Sequence, residues 1–99
     1  MAALDIRSII NRAEPELRAA GLSALYLFGS HARGDSGEAS DIDIAFDVAA
    51  EADEHFSLID QVRVQLRLQE LFGQKVDFFE RRALIRRFGP RLEPLVKLL

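Results

Sequence analysis

The 99-residue chain contains no cysteine. Disulfide staples and thiolate metal sites are therefore excluded, and the composition fits a reducing compartment. No apolar run approaches the roughly 18–20 residues that cross a bilayer as a helix. Residues 1–6 have neither the basic head nor the apolar stretch of a secretory signal. The expectation is a cytoplasmic protein with no membrane partner. There is no internal repeat and no low-complexity segment. The phosphate-binding pattern G-x-x-x-x-G-K-[ST] is also missing, which excludes a P-loop.

What is present is an ordinary globular balance, 48% apolar and 29% charged, in a length that suits one small domain over residues 1–99. The net charge is −3, unevenly spread. Residues 81–99 hold six basic side chains (Arg81, Arg82, Arg86, Arg87, Arg91, Lys97) against the single acid Glu93. Residues 1–80 hold seven basic and fifteen acidic ones. The basic tail reads either as the solvated face of an amphipathic helix or as a docking surface for an acidic partner or anionic ligand. Six charges are too few to argue for direct nucleic-acid binding.

Hydrophobic spacing outlines the elements. Ile6, Ile9, Ile10, Ala13, Leu17 and Ala20 recur at helical intervals, with Pro15 predicting a break or kink near Ala13–Glu14 and then a short second helix that stops at Gly21. Residues 24–28 form a short apolar run bounded by turn residues, the pattern of a buried strand. Residues 30–40 read as a turn and an exposed loop, with a short helix conceivable at 30–33. Residues 42–47 alternate strictly, Ile42, Ile44 and Phe46 on one face and Asp41, Asp43 and Ala45 on the other. An acidic connection leads to a helix over 55–72, whose main apolar stripe is Phe56, Ile59, Val62 and Leu66, widened by Val64, Leu68, Leu71 and Phe72. Residues 75–79 are a third strand, and 81–99 one helix broken near Gly89–Pro90, or two short ones. The order predicts a small α/β (α+β) fold, a mixed sheet of three to four strands with helices packed on one face. The third strand, reached through a whole helix, suits parallel pairing with the second.

Three pieces of sequence carry chemistry. Asp41 and Asp43, two apart on a strand, point the same way about 7 Å apart. Carboxylates so placed repel unless a cation lies between them, and hard divalent ions take oxygen ligands. Gly29–Ser30 ends the preceding strand, where glycine permits close backbone approach and the serine hydroxyl offers a donor to a phosphate oxygen. Asp77 stands between Val76 and Phe78 and points away from the face those two bury. Each has a plainer reading alone: a solvated edge strand, an ordinary turn, an exposed aspartate.

Taken together, Gly29-Ser30, ten intervening residues, Asp41-Ile42-Asp43 and a later strand with Asp77 resemble the nucleotidyltransferase superfamily that includes DNA polymerase beta. The fuller text, Phe28-Gly29-Ser30-His31-Ala32-Arg33-Gly34 followed by Ser40-Asp41-Ile42-Asp43, is similar to the minimal nucleotidyltransferases. The resemblance implies a polymerase-beta-like fold that binds a nucleoside triphosphate, ATP first among them, with two Mg²⁺ ions. It implies that Gly29 and Ser30 hold the triphosphate, that Asp41, Asp43 and Asp77 serve as metal ligands, and that Asp77 activates the acceptor hydroxyl. Arg33 belongs to the matched text and either steadies the triphosphate or pairs with the aspartates. His31 is expected exposed, and Tyr26 in core packing. Many members of this group are antitoxins encoded beside a HEPN-family toxin, and in characterised pairs the antitoxin adenylylates a tyrosine of the toxin. The implied function is adenylyl transfer to such a partner. Neutralisation by contact alone, or a detached subunit modifying RNA ends or a small molecule, are the alternatives.

Overall fold

The computed structural model describes residues 5–34 and 41–99. The stretch 35–40, which holds most of the expected linking loop and Ser40 of the matched text, lies outside the described residues. The elements run α1 (Ile6–Ala19), β1 (Leu22–Phe28), α2 (Gly29–Arg33), β2 (Ile42–Val48), α3 (Leu58–Phe72), β3 (Val76–Glu80), α4 (Arg81–Phe88) and β4 (Val96–Lys97), with short 3-10 turns at Ala50–Ala52 and Gly89–Arg91. The strands lie in the order β3-β2-β1-β4. β1 is antiparallel to both β2 and β4, whereas β2 and β3 are parallel. The sheet is thus mixed, as expected for a third strand reached through a helix.

Alternation decides what each strand buries. Leu25 pairs with Phe46 and Leu27 with Ile44, while Ile42 lies opposite Val76 and Ile44 opposite Phe78. These side chains share one face of the sheet and join Ile6, Ile10, Ala13 and Leu17 of α1 and Val64, Leu68 and Phe72 of α3 in one core. Phe46 stacks on Phe78, centroids 4.3 Å apart and planes 21° apart. Asp5 caps α1 by accepting from the Ser8 amide at 3.0 Å. Ser57 and Asp60 form a reciprocal capping box, so α3 begins after Ser57 rather than at residue 55.

Five expectations are corrected. α1 runs unbroken through Pro15. Pro15 and Asn11, whose carbonyl loses its partner there, are both exposed, so water can satisfy the orphan while Ala13 and Leu17 stay buried on the inner side. The main stripe of α3 is the other one: Ile59, Val62 and Leu66 are exposed, and Val64, Leu68 and Phe72 face the sheet. The tail does not continue as helix beyond Phe88. Pro90 and Pro94 each lack an amide, residue 93 is biased to extended backbone, and the chain becomes the added strand β4, with Leu98 and Leu99 buried and both amides donating to the Leu25 carbonyl, Leu98 at 2.8 Å. The helices do not all share one face, because α4 packs against β2 and β3 with Arg81 on the side away from the core. There the Arg81 guanidinium lies over the Tyr26 ring and donates to Asp47 at 2.8 Å. Tyr26 donates its hydroxyl to Asp47 at 3.1 Å, so it lies on this polar side rather than in the core.

The Phe46 ring is 1% exposed and lies between sheet and helices. Phe46→Ala should cost about 3–5 kcal/mol, read as a lowered urea midpoint with an unchanged slope.

Candidate active site

The sheet face opposite the core collects the polar chemistry. By register Phe28 lies opposite Asp43, Tyr26 opposite Ala45, and Asp43 opposite Asp77. Parallel pairing of β2 with β3 therefore sets Asp43 and Asp77 side by side on one face. Asp41, one residue before β2, stands at the same end. The Lys75 ammonium lies between them, 3.6 Å from Asp41 and 3.9 Å from Asp77. Sequence reasoning missed this lysine, although it placed Lys75 as the first residue of the third strand.

The close carboxylates leave an electrostatic mark. Asp43 is held above its ordinary pKa of 3.8, first by loss of solvent and then by the charges of Asp77 and Asp41, with Glu93 adding a smaller push. Among the described residues, no three His, Asp or Glu side chains are arranged to enclose a metal ion. Asp41 and Asp77 keep part of their side chains open to solvent, and the exposed Lys75 is the cation seen beside them among the described residues.

Gly29 abuts this cluster. It follows β1 directly, starts α2, and has φ of +73°. A Cβ at this position would collide with the Asp43 carboxylate. Glycine thus serves two requirements, the left-handed backbone and the close approach of main chain to Asp43. Ser30 follows in the first turn of α2, and His31 is half-buried rather than exposed. Arg33 closes the helix, and its guanidinium meets Glu93 at 2.6 Å. The C-terminal segment therefore reaches the site, which the sequence did not suggest.

A cleft of about 710 Å³ opens beside Asp43. Gly29 and Asp43 lie on its lining, Phe28, Phe79, Leu84 and Phe88 form an apolar wall, and Gln61, Arg87 and Glu93 bring polar groups to it. Phe28 and Phe79 meet at 6.0 Å between centroids with planes tilted by 55°. An open carboxylate cluster, a glycine-led helix start and an aromatic cleft share one end of the sheet. That combination suits binding of a polyanion through a cation, next to a pocket for a flat or apolar group.

Known proteins resemble this chain in sequence and in fold. The sequence pattern of the nucleotidyltransferase domain family matches residues 8–96. A protein of Methanocaldococcus jannaschii named "Putative protein adenylyltransferase MJ0435" is 38% identical over 74 residues, 75% of each chain. A solved structure described as a "putative minimal nucleotidyltransferase" superposes with a TM-score of 0.67 at 30% identity, covering 92% of both chains. A toxin–antitoxin structure with AMP-PNP has a similar fold, with a TM-score of 0.68 at 24% identity over 94% of this chain and 72% of that one.

Two outcomes follow from this geometry. Gly29→Ala should destabilise the fold by about 1–3 kcal/mol and weaken binding of a non-hydrolysable ATP analogue, measured by calorimetry. Asp43 binds its proton more readily folded than unfolded. It therefore costs stability above its raised pKa, and the cost fades as pH falls through that value toward 3.8. Asp43→Asn should raise the melting temperature at pH 7, with the gain shrinking on acidification. A lowered melting temperature at pH 7 would contradict the repulsive cluster.

Proposed function

The chain belongs to the nucleotidyltransferase domain family, and from that premise we propose that it moves AMP from Mg²⁺·ATP to a tyrosine hydroxyl of a HEPN-family toxin, which it thereby silences. Nucleotidyl transfer follows from the family. Nucleotide, metal, acceptor and partner are the proposal. The observation that carries it is the parallel register that sets Asp43 beside Asp77 against the glycine-led start of α2.

The donor set fits Mg²⁺. It consists of hard carboxylate oxygens, mutually repelling and partly open to solvent, and such an ion completes its shell with water and substrate phosphate. When bound, the ion neutralises charge on the triphosphate and on the departing pyrophosphate. Asp41 and Asp43 would hold it. The α2 backbone and the Ser30 hydroxyl would hold phosphate oxygens. Arg33 either adds a cation there after parting from Glu93, or remains the tie to the tail. Asp77 takes the proton of the acceptor hydroxyl as that oxygen bonds to the α-phosphorus, and the bond from the α-phosphorus to the bridging oxygen breaks to release pyrophosphate.

Two observations favour a protein tyrosine as acceptor. The cleft beside Asp43 has the aromatic wall that a phenol ring packs against. The M. jannaschii relative carries the name of a protein adenylyltransferase. A toxin partner has support from the toxin–antitoxin structures of like fold. The exposed apolar stripe of Leu58, Ile59, Val62 and Leu66 on α3 offers such a partner a surface.

The test incubates the protein with α-labelled ATP, Mg²⁺ and the protein encoded by the adjacent gene. Label should appear on a tyrosine of that partner, and Asp43→Asn should lower the rate by about a hundredfold or more. A folded partner that acquires no label would overturn the proposal.

A further inference from the structure

β3 is an edge strand, because the sheet ends there. An edge strand normally leaves every second residue's amide and carbonyl without a sheet partner. On β3 those residues are Val76 and Phe78, which flank Asp77. α3 supplies three of these four missing partners from three glutamines spaced four apart. Gln61 donates its side-chain amide to the Phe78 carbonyl at 3.2 Å. Gln65 donates to the Val76 carbonyl at 2.8 Å. Gln69 accepts from the Val76 amide at 3.2 Å.

We propose that Gln61, Gln65 and Gln69 are positioning residues that hold Asp77 at its station beside Asp43, a side-chain ladder standing where a fifth strand would pair. The inference rests on Asp77 as the proton acceptor. Residues on both sides of Asp77 are tied outward to α3, while Asp77 itself is held inward by pairing with β2. Asp43 and Asp77 repel each other, and pairing with β2 together with burial of Val76 and Phe78 opposes a swing of the strand edge away from that repulsion. The ladder is a further hold, made on the outer edge. Each glutamine is half-buried, so its bond forms with little competing water. Gln61 also lines the cleft, so the same side chain that ties Phe78 borders the place proposed for the acceptor.

The test replaces Gln65 with Met, which keeps the chain length and removes the donor, and with Lys, which restores a donor. Transfer from ATP to the partner toxin is measured well below each variant's melting temperature, together with amide exchange at Asp77 and Phe78. Gln65→Met should lower kcat about tenfold while the KM for ATP stays within about twofold, because a small misplacement of a reacting group costs rate rather than ground-state binding. Exchange at Asp77 and Phe78 should quicken, and Gln65→Lys should recover most of the rate. In an Asp77→Asn background Gln65→Met should change the residual rate no further. If Gln65→Met does not fold, Gln61→Met, which loses the one bond to the Phe78 carbonyl in the middle of β3, gives the same readings. An unchanged kcat beside an inactive Asp77→Asn would overturn the ladder alone. Full activity of Asp77→Asn would overturn the reading of Asp77 and the ladder with it.

Discussion

Parallel pairing of β2 with β3 is the constraint on which the site depends. It sets Asp43 directly opposite Asp77 and, by the same alternation, turns Ile42, Ile44, Val76 and Phe78 into the core. One register thus determines both the repulsive carboxylates and the apolar contacts that hold them together. A slip of one residue would move every one of these side chains to the opposite face. The raised pKa of Asp43 marks the cost of this arrangement, and burial beneath the sheet offsets it. The carboxylates that cost stability are the ones proposed to hold a cation-borne polyphosphate, a common conflict between folding and function.

The second requirement is access. Gly29 brings the backbone against Asp43 where any side chain would collide. The tail then completes the surroundings: Glu93 pairs with Arg33, α4 walls the cleft, and β4 seals the free edge of β1. The last nineteen residues are therefore built into the domain. Their basic residues divide between internal ties, such as Arg81 to Asp47, and the exposed Arg82, Arg86, Arg87 and Arg91.

Much of this was legible in the residues. The alternation of Ile42, Ile44 and Phe46 against Asp41 and Asp43 gave the strand and its two faces, and Gly29–Ser30 with Asp77 indicated the family. The failures share a physical origin. Two apolar stripes compete on α3, and periodicity cannot say which one meets the sheet. The glutamines resemble a solvated face in sequence, yet they turn inward because the β3 edge needs hydrogen-bond partners. Pro15 breaks a helix only where its orphaned carbonyl would be buried. β4 is two residues long and held by backbone bonds to β1, a signal that no side-chain pattern carries. Glu93 and Lys75 reach the site through tertiary contacts alone, and only the fold shows which charges become neighbours.

The proposed function requires that Gly29, Ser30 and the three aspartates form one cation-and-triphosphate site. Paramagnetic broadening by Mn²⁺ tests it directly, read from amide resonances of the protein with a non-hydrolysable ATP analogue. The amides of Gly29, Ser30, Asp43 and Asp77 should broaden first and together, and broadening at all four should weaken in Asp43→Asn. Loss of signal centred elsewhere, or broadening of the aspartates while Gly29 and Ser30 stay sharp, would contradict it.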